Sequence, residues 1–491
     1  MAGMTLSAGD RQPVAWRGLG VMSLAYAVLL VATSAGYGLH RDEFYFVAIG
    51  GHPAFGYVDQ PPLVPLLAHT LDVLGDGSLV VLRLSSALAG AAIVLVTGLI
   101  AREFGAARGA QLLAAGAMAV SAVLAAVSHL MSTTTYDVLA WTVLSWLIVR
   151  ALRDGGTSWL LAGTAAGVGL EIKTLIVFLL FALTVGVLVA GPREALRDRW
   201  LWTGAGIALA LWLPNLIWQA SNDWPQLRLS TAIARGQSGS SQPRWAFLPY
   251  QLLLVSPLLA PVWILGGIRL WRDAALRTWR CIPVAWVVLA VVFLATGGKP
   301  YYLAGLFPAL LAAGAAPTLA WARSRVRRAL LGTAVVVSLA VSAVLFLPLV
   351  PAADLSNTPI VAVNYDAGET VGWAQFNATV ARVYDQQPAK TIVLAANYGE
   401  AGSLLHDTDV PAYSGQNSLW DLGPPPADTR VAVAVGYPED TLRGWFADVH
   451  RVATIDNGID VDNDEQGGAV YVCSSPRLPW TQLWPHIRHL G

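Results

Sequence analysis

The sequence predicts an all-α, polytopic membrane bundle of about eleven transmembrane helices, followed by a soluble C-terminal α/β domain. Of the 491 residues, 55% are hydrophobic and only 13% are charged, whereas a soluble globular chain has about 25% charged residues. The apolar residues recur in runs of about 20 residues, which is the length that crosses the hydrocarbon core. Because a helix satisfies its own backbone hydrogen bonds in lipid, these runs predict membrane-spanning helices.

The predicted spans alternate with connectors that are rich in arginine. The spans cover residues 19–39, 79–100, 111–128, 136–150, 158–170, 174–190, 201–219, 249–270, 281–297, 303–321 and 329–350. The connectors after every second span, together with the N-terminal tail, hold 17 of the 31 lysine and arginine residues. Because positively charged connectors stay in the cytoplasm, we expect a multi-pass protein of the plasma membrane. Its amino terminus should be cytoplasmic and its C-terminal domain extracytoplasmic.

The end of the chain differs in character from the apolar spans, because short β-rich runs alternate there with helical patterns. The β-rich runs cover 391–397 and 429–437, and the helical patterns cover 370–386 and 438–446. Such alternation is typical of a small α/β domain. We therefore divide the chain into a transmembrane module, residues 1–351, with a first external loop at 40–78, and an extracytoplasmic domain, residues 352–491.

The predicted topology limits where chemistry can occur. All the cytoplasmic connectors are short, so no nucleotide-binding domain fits there, and the long connectors are external. Nucleotide-activated substrates are absent outside the cell, so an external transferase would need a donor that is carried in the membrane. The formal net charge of zero gives no indication of a nucleic-acid partner.

The first external loop holds three acidic residues that could carry chemistry. Asp42 and Glu43 are adjacent, and Asp59 precedes Pro61 and Pro62. Neighbouring residues point about 100° apart on a helix, so one acid could act as a general base on a substrate hydroxyl while the other orients it or binds a metal. The alternative is that the adjacent acids cap the start of a helix, where negative charge is favourable.

Further candidate residues lie at the predicted outer ends of spans. Asp137 is a candidate because acids inside spans usually face a cavity; the alternative is a solvated helix start. Lys173 and Lys299 could hold a phosphate as point charges, or could be lysines that anchor a helix at the interface. Tyr301 and Tyr302 follow Lys299, although aromatic residues at this depth usually belong to an interfacial belt.

These segments resemble bacterial relatives of the dolichyl-phosphate-mannose-protein mannosyltransferases and of the lipid A aminoarabinose transferase, which are GT-C glycosyltransferases. The segments that carry the resemblance are the Asp-Glu pair after the first span, GYVDQPPLVPLL (56–67), GLEIKTLIVFLL (169–180), GGKPYYLAGLFPALLAAGA (297–315), and, as in an actinobacterial-type branch, ETVGW (369–373), NYGEAGSL (397–404) and YSGQNSLW (413–420). The resemblance covers essentially the whole chain. Gln60 stands where relatives often carry a basic residue or histidine.

The resemblance implies transfer of a hexosyl or pentosyl group, with inversion, from a polyprenyl-phosphate donor to a hydroxyl of a glycan, lipid or protein. The implied catalytic residues are Asp42 and Glu43, the implied donor phosphate-binding residues are Lys173, Lys299, Tyr301 and Tyr302, and the other implied site residues are Asp59 and Asp137. We assign the general base to Asp42, because the attacking hydroxyl must lose a proton. Relatives differ in metal use; Asp59 is the candidate ligand for a divalent cation (Mg²⁺, Mn²⁺ or Zn²⁺), and we expect no other cofactor.

Two other classes of protein compete with this interpretation. A secondary transporter would place charges near the bilayer midplane and would contain paired broken helices, whereas the charges here cluster at one membrane edge and no internal repeat is visible. A non-catalytic membrane assembly protein would use the tail as its working part. In that case Asp42→Asn would leave the function intact.

Overall fold

The computed structural model describes residues 12–235 and 243–490. The N-terminal tail, which contributed Arg11 to the topology argument, therefore lies largely outside the described residues, as does part of the predicted external connector at 220–248. The described chain is mostly helical with a small C-terminal sheet, which confirms the predicted fold class at this level.

The described residues form twenty-two α-helices. The first eleven are α1 (Trp16–Thr33), α2 (Arg41–Gly50), α3 (Leu63–Leu74), α4 (Leu79–Glu103), α5 (Arg108–Ala119), α6 (Ala122–Ser128), α7 (Thr133–Asp154), α8 (Ser158–Leu170), α9 (Ile176–Ala190), α10 (Arg199–Ser221) and α11 (Pro225–Ala234). The others are α12 (Phe247–Val255), α13 (Ala260–Arg272), α14 (Cys281–Thr296), α15 (Phe307–Trp321), α16 (Arg325–Phe346), α17 (Ile360–Val363), α18 (Tyr365–Gly368), α19 (Trp373–Tyr384), α20 (Tyr398–Asp407), α21 (Glu439–Trp445) and α22 (Trp480–Ile487).

Among the described residues, six helices are long and apolar enough to cross a membrane, and eight if each of two bent pairs is one span. The six are α1, α4, α7, α10, α15 with the turn before it, and α16. Helices α8, α9 and α14 coincide with predicted spans but have only 13, 15 and 16 residues. At 1.5 Å per residue they extend about 20–24 Å, less than the hydrocarbon thickness of about 30 Å. A multi-pass membrane protein is therefore supported, and the count of eleven stays a prediction.

Two predicted spans are broken, although the sequence analysis treated them as continuous. The run at 111–128 divides into α5 and α6, which are bent by 59°, and the run at 249–270 divides between α12 and α13, with a bend of 103°. Ser121 between the first pair is extended, and its hydroxyl donates to the carbonyl of Met118 at 2.7 Å. At the second break Ser256 has φ 133° and precedes Pro257, which has no N–H to continue a helix.

The chain forms two compact units, each with its own packing. We call the first the membrane unit; it comprises Met1–Ala32, Arg83–Trp224 and Ile233–Leu347. We call the second the loop–tail unit; it comprises Thr33–Leu82, Pro225–Ala232 and Pro348–Gly491. The first external loop, which was predicted as part of the transmembrane module, belongs by its contacts to the same unit as the tail.

Within the membrane unit, glycines allow two helix pairs to approach closely. A Cβ atom on Gly163 of α8 would collide with the backbone of Gly204 on α10, and a Cβ atom on Gly266 of α13 would collide with the carbonyl oxygen of Leu310 on α15. Small residues are enriched at helix contacts in membranes because they let backbones pack closely. This packing fixes α15, whose preceding turn carries three of the predicted site residues.

The sheet of the loop–tail unit confirms the strands predicted in the tail. Its strands are β1 (Ile392–Ala395), β2 (Ala412–Ser414), β3 (Val431–Val435), β4 (Phe446–Thr454) and β5 (Ala469–Pro476). Their order is β2-β1-β3-β5-β4; β1 is parallel to β2 and β3, and β5 is antiparallel to β3 and β4. The interior strand β1, which pairs with β2 and β3, is buried and leads into α20 at the carboxyl edge of the parallel strands, which is where ligand sites form in such sheets.

Helix α2 of the first loop packs against α20 of the tail through two glycines. A Cβ atom on Gly399 would lie 2.7 Å from Cβ of Arg41, and one on Gly402 would lie 2.9 Å from Cβ of Phe44. Both pairs are three residues apart, so the two helices run in the same direction. Their first turns therefore lie side by side.

His406 joins α20 to α3. Its Nδ1 lies 2.6 Å from Oδ1 of Asp407, and its Nε2 lies 3.1 Å from Oδ1 of Asp72. The hydrogen bonds to Asp407 and Asp72 raise the pKa of His406 to about 9. Because this pKa lies above the ordinary value of 6.5, the ion pairs stabilise the fold fully below about pH 6.5, and the stabilisation is lost as the pH rises through about 9.

We predict that His406→Gln lowers the stability of the protein at neutral pH by on the order of 1–2 kcal/mol, after allowance for solvent screening of the partly exposed ring. The thermal unfolding midpoints of wild type and variant should differ at pH 6 and converge at pH 10. His450→Gln, on the exposed side of β4, is the matched control and should have little effect at either pH. A difference that is the same at both pH values would contradict the prediction.

Candidate active site

Asp42 and Tyr398 meet where α2 and α20 begin. The hydroxyl of Tyr398 donates a hydrogen bond of 2.7 Å to Oδ1 of Asp42. Asp42 is in the first turn of α2, and its side chain is only partly buried. The structure therefore holds an oriented carboxylate at a position that a substrate can reach.

A second carboxylate–tyrosine pair lies beside the first. The hydroxyl of Tyr45 donates a hydrogen bond of 2.7 Å to Oδ1 of Asp59, and the backbone N–H of Ser418 donates to the same hydroxyl at 3.2 Å. The rings of Tyr45 and Tyr398 are 4.7 Å apart between centroids and inclined at 37°. The two predicted acids Asp42 and Asp59 are thus each held by one member of a stacked tyrosine pair.

Asp59 can exchange a proton near neutral pH. Burial raises the pKa of its carboxyl to about 7, the hydrogen bond from Tyr45 opposes this effect, and the negative charge of Asp42 adds to it. A carboxyl whose pKa lies near the working pH is suited to general acid–base chemistry.

Arg41 anchors this arrangement through a buried ion pair. Its Nη1 lies 3.1 Å from Oε2 of Glu369 and 2.6 Å from Oδ2 of Asp464, and its guanidinium carbon lies 5.1 Å from the ring centroid of Tyr398. The side chain of Glu369 is fully buried and that of Arg41 is 14% exposed. A guanidinium with two carboxylates and an aromatic face is held in one geometry, so it restrains Tyr398.

The side chain of Glu43 caps the amino-terminal end of α2 and does not face solvent. It is fully buried, and its Oε2 accepts a hydrogen bond of 2.8 Å from the backbone N–H of His40, while the His40 ring accepts from the backbone of α2. This is a capping box, the alternative that the sequence analysis gave for the adjacent acids. A catalytic role for Glu43 stays a prediction.

In the membrane unit, the predicted residues Lys173, Tyr301 and Tyr302 lie together. The ammonium of Lys173 donates a hydrogen bond of 3.2 Å to Oγ1 of Thr134, and it lies 5.8 Å and 5.7 Å from the ring centroids of Tyr301 and Tyr302. The two rings are 5.2 Å apart and nearly perpendicular, at 88°. Two aromatic faces close to one ammonium hold it by cation–π attraction.

Asp137 and Lys299 belong to the same cluster. The carboxylate of Asp137 interacts electrostatically with Lys173, and the hydroxyl of Tyr302 interacts with both Lys299 and Asp137. Asp137 is 5% exposed, and its Oδ1 has no hydrogen-bond partner within residues 12–235 and 243–490. Two ammonium groups, two phenols and a buried carboxylate therefore meet at the start of α7, the α8–α9 connector and the turn before α15. Such a set can bind an anion such as phosphate.

Asp42, Asp59, Arg41, Tyr45 and Tyr398 together form what we call the carboxylate cluster. Three of these residues were absent from the sequence-based prediction: Arg41, Tyr45 and Tyr398. Arg41 directly precedes Asp42, and Tyr45 lies one turn after it. An arginine or a tyrosine next to an acidic pair is common in protein sequences, so neither residue indicated a functional site. The best signal was at Tyr398, because it follows Asn397 in an Asn-x-x-Glu pattern, which is typical of a helix start after a strand.

The described residues do not fit a resident divalent cation. No group of three or more His, Cys, Asp or Glu side chains within the described ranges could hold a metal ion. Oδ1 of Asp59, the predicted ligand, accepts a hydrogen bond from the hydroxyl of Tyr45. In the acidic stretch 456–468, Asp456 accepts the backbone N–H of Gly458 at 3.0 Å and so stabilises a turn.

Known proteins match both the sequence and the fold. The family model for dolichyl-phosphate-mannose-protein mannosyltransferases matches residues 59–218. The structure is similar to ArnT from Cupriavidus metallidurans bound to undecaprenyl phosphate, with a TM-score of 0.60, 17% identity, and coverage of 93% of this chain and 98% of that chain. It is also similar to the apo state of the same protein, with a TM-score of 0.62, 16% identity and the same coverage.

A third similar structure is the arabinofuranosyltransferase AftD from Mycobacteria, with a TM-score of 0.50 and 14% identity over 95% of this chain and 42% of that chain. Among curated proteins, none matches the sequence significantly. The matches confirm the predicted family resemblance and show an ArnT-like GT-C fold.

We predict that Arg41→Ala lowers the free energy of unfolding by about 3 kcal/mol, because it leaves the carboxylate of Glu369 buried without its partner. Adding Glu369→Gln to this variant should recover most of the loss, since the unpaired charge is then removed. Chemical unfolding of the purified protein, followed by near-UV circular dichroism, measures both changes. Arg443→Ala removes an exposed ion pair with Glu439 and should cost less than about 1 kcal/mol; equal losses for Arg41→Ala and Arg443→Ala would exclude a buried pair.

Proposed function

We propose that this protein is a membrane glycosyltransferase that moves a hexosyl or pentosyl group from a polyprenyl-phosphate donor to an acceptor hydroxyl, with inversion. The observation that carries the proposal is the Asp42 carboxylate, held by Tyr398 at the start of α2. The match to a family of mannosyltransferases and the similarity in fold to ArnT support this class of reaction.

In this proposal Asp42 is the general base. The acceptor oxygen forms a bond to the anomeric carbon, its proton passes to the Asp42 carboxylate, and the bond between the anomeric carbon and the phosphate oxygen breaks. The electron pair of that bond leaves with the lipid phosphate. Because Tyr398 occupies Oδ1, we assign the other carboxylate oxygen to the acceptor hydroxyl. A positioned base contributes about 10²–10⁴-fold to such a step.

The lysine–tyrosine cluster of the membrane unit binds the donor phosphate in this proposal. The leaving phosphate gains negative charge as the sugar departs, and fixed positive charge at that point stabilises the transition state. Lys173 and Lys299 supply the charge, and the hydroxyls of Tyr301 and Tyr302 supply hydrogen bonds. Asp137 orients the ammonium of Lys173, with which it interacts.

We further propose the topology that this reaction needs. The short helices α8, α9 and α14 complete a set of about eleven spans, the amino terminus is cytoplasmic, and the C-terminal domain is a soluble extracytoplasmic domain at the plasma membrane. The arginine-rich connectors support this orientation. The acceptor is a glycan, a lipid or a protein on the outer side.

Two broken helices, α5–α6 and α12–α13, favour a secondary transporter as the second candidate, because broken helices form substrate sites in such proteins. The two functions differ in their product. A transporter moves its substrate chemically unchanged across the membrane of proteoliposomes. A transferase instead forms a new glycosidic bond and releases free polyprenyl phosphate.

We expect Asp42→Asn to reduce sugar transfer by about 10²–10⁴-fold. Labelled polyprenyl-phosphate sugars are supplied to purified protein with cell-envelope acceptors, and release of polyprenyl phosphate and labelled product is measured. Tyr398→Phe keeps the carboxylate but removes its hydrogen bond, so a smaller loss is expected, mainly in kcat. Asp440→Asn, at an exposed position on α21, is the control. Unchanged turnover in Asp42→Asn would reject the assignment of the base.

Lys173→Ala and Lys299→Ala should each raise the Kd for the donor by about tenfold or more, because each removes a charged hydrogen-bond donor from the phosphate. The affinity for the acceptor should change less. The chain has one further lysine, Lys390, which is exposed and paired with Asp428, so Lys390→Ala is a matched control. If neither variant weakens binding of a polyprenyl-phosphate sugar, the phosphate site lies elsewhere.

A further inference from the structure

The loop–tail unit contains a cavity that the proposed chemistry does not use. Its volume is about 790 Å³, which lies within the range of small-molecule sites. Its walls come from the end of α2, from α3 and the turn after it, from α20 and from β2. The first external loop and the tail thus each contribute one side.

The polar lining of the cavity is suited to hydroxyl groups. The polar residues of the lining are Asp72, Asp76, His52, His69, His406, Tyr413 and Ser414. Asp76 has φ 50°, a conformation that is uncommon for any residue except glycine, and it lies in the turn that closes α3. Ionised carboxylates accept hydrogen bonds, and those to charged groups are stronger than those between neutral groups.

The charge of the lining disfavours an anionic ligand. His406 is held between Asp72 and Asp407, and Asp76 adds a second carboxylate to the cavity wall. The positive charge of the His406 imidazole is therefore already balanced. The lining also includes His52 and His69 but no lysine or arginine among its described residues, so it lacks the permanently charged side chains that bind a phosphate or a carboxylate. A ligand rich in uncharged hydroxyls meets this lining without electrostatic cost.

The lining also includes an apolar platform. Leu405 and Leu422 line the cavity and are 42% and 43% exposed. Removing the apolar area of leucine side chains from water is favourable, so a ligand that covers them would gain affinity. The C–H faces of sugar rings are apolar, while their hydroxyls point outward around the ring. A surface with two exposed leucines beside carboxylates matches both parts of a sugar.

The cavity lies along the helix that carries the proposed base. Ala48 lines it and follows Asp42 by six residues, which is about 9 Å along the axis of α2. A chain of linked sugar rings bound in the cavity could therefore extend toward Asp42. Val47 also faces the cavity from the same helix.

We propose that this cavity binds the acceptor, and that the acceptor is an uncharged glycan. The assignment of the ligand as acceptor rests on the proposed glycosyltransferase function. The binding site itself does not, because it follows from the lining of the cavity. Asp72 is the residue that contacts the glycan hydroxyls and at the same time holds His406.

The experiment compares two carboxylates that hold the same imidazole. Asp72 and Asp407 both pair with His406, but only Asp72 lines the cavity. Binding of mannotriose and arabinotriose to the full-length protein in detergent is measured by saturation-transfer NMR, with trigalacturonic acid as an anionic probe. We expect the neutral trisaccharides to bind, Asp72→Asn to weaken them about tenfold, and Asp407→Asn to leave them within about twofold.

Three results would overturn the proposal: absence of binding by either neutral trisaccharide, tighter binding of trigalacturonic acid, or equal losses in Asp72→Asn and Asp407→Asn. Equal losses would assign both carboxylates to holding His406. Asp440→Asn, at an exposed position on α21, lies outside the cavity and should bind the trisaccharides as wild type does. Trisaccharide binding without any sugar transfer by the wild type would refute the proposed function and leave the glycan site standing.

Discussion

The contact between α2 and α20 determines the geometry of the carboxylate cluster. Asp42 and Tyr398 are 356 positions apart in the chain, and they meet because Gly399 and Gly402 let the two helices approach closely. Two helices that start side by side bring two positive dipole ends together, which is unfavourable without negative charge nearby. The carboxylates of Asp42, Glu43 and Glu400 in the first turns supply that charge. The site and the stability of this contact therefore depend on the same acidic residues.

The acidic residues around this contact are expensive to bury, and Arg41 compensates for part of the cost. Burial raises the pKa of Glu400 to about 7 and that of Glu465 to about 8. In both cases the positive charge of Arg41 acts in the opposite direction. A buried carboxylate without a cation would lose its charge rather than stay ionised. The guanidinium of Arg41 thus allows several carboxylates to lie close to Asp42. The same guanidinium contacts the ring of Tyr398, whose hydroxyl holds the proposed base, so the position of Asp42 also depends on Arg41.

The sequence predicted the parts of the structure that depend on local pattern. Apolar runs located the helices, the alternation in the tail located β1 and β3, and charge at span ends located Lys173 and Asp137 in one cluster. It did not predict that Tyr398 would contact Asp42, because that contact depends on packing between distant segments. The broken span at 249–270 was missed for a related reason: its hydropathy is continuous, and the effect of Pro257 on the backbone is not visible in hydropathy.

The proposed roles divide between the two compact units, and this division has a chemical reason. An isoprenoid carrier is apolar and its phosphate lies at the membrane edge, so ammonium groups at helix ends can bind it while aromatic rings such as Tyr302 pack around them. A glycan acceptor is polar and carries many hydroxyls, so it needs hydrogen-bonding groups such as Asp72 and Asp76, which line the cavity of the loop–tail unit. The segment that matches the family model contains Lys173 and Asp137 but ends before the tail. The same segment also contains Asp72 and Asp76 of the cavity, whereas Lys299, Tyr301 and Tyr302 follow it in the chain. The tail supplies Tyr398 and another part of the cavity wall, and it contributes no side chain to the proposed phosphate site. Changes in the tail can therefore alter the fit of an acceptor without disturbing the residues that would hold the donor phosphate.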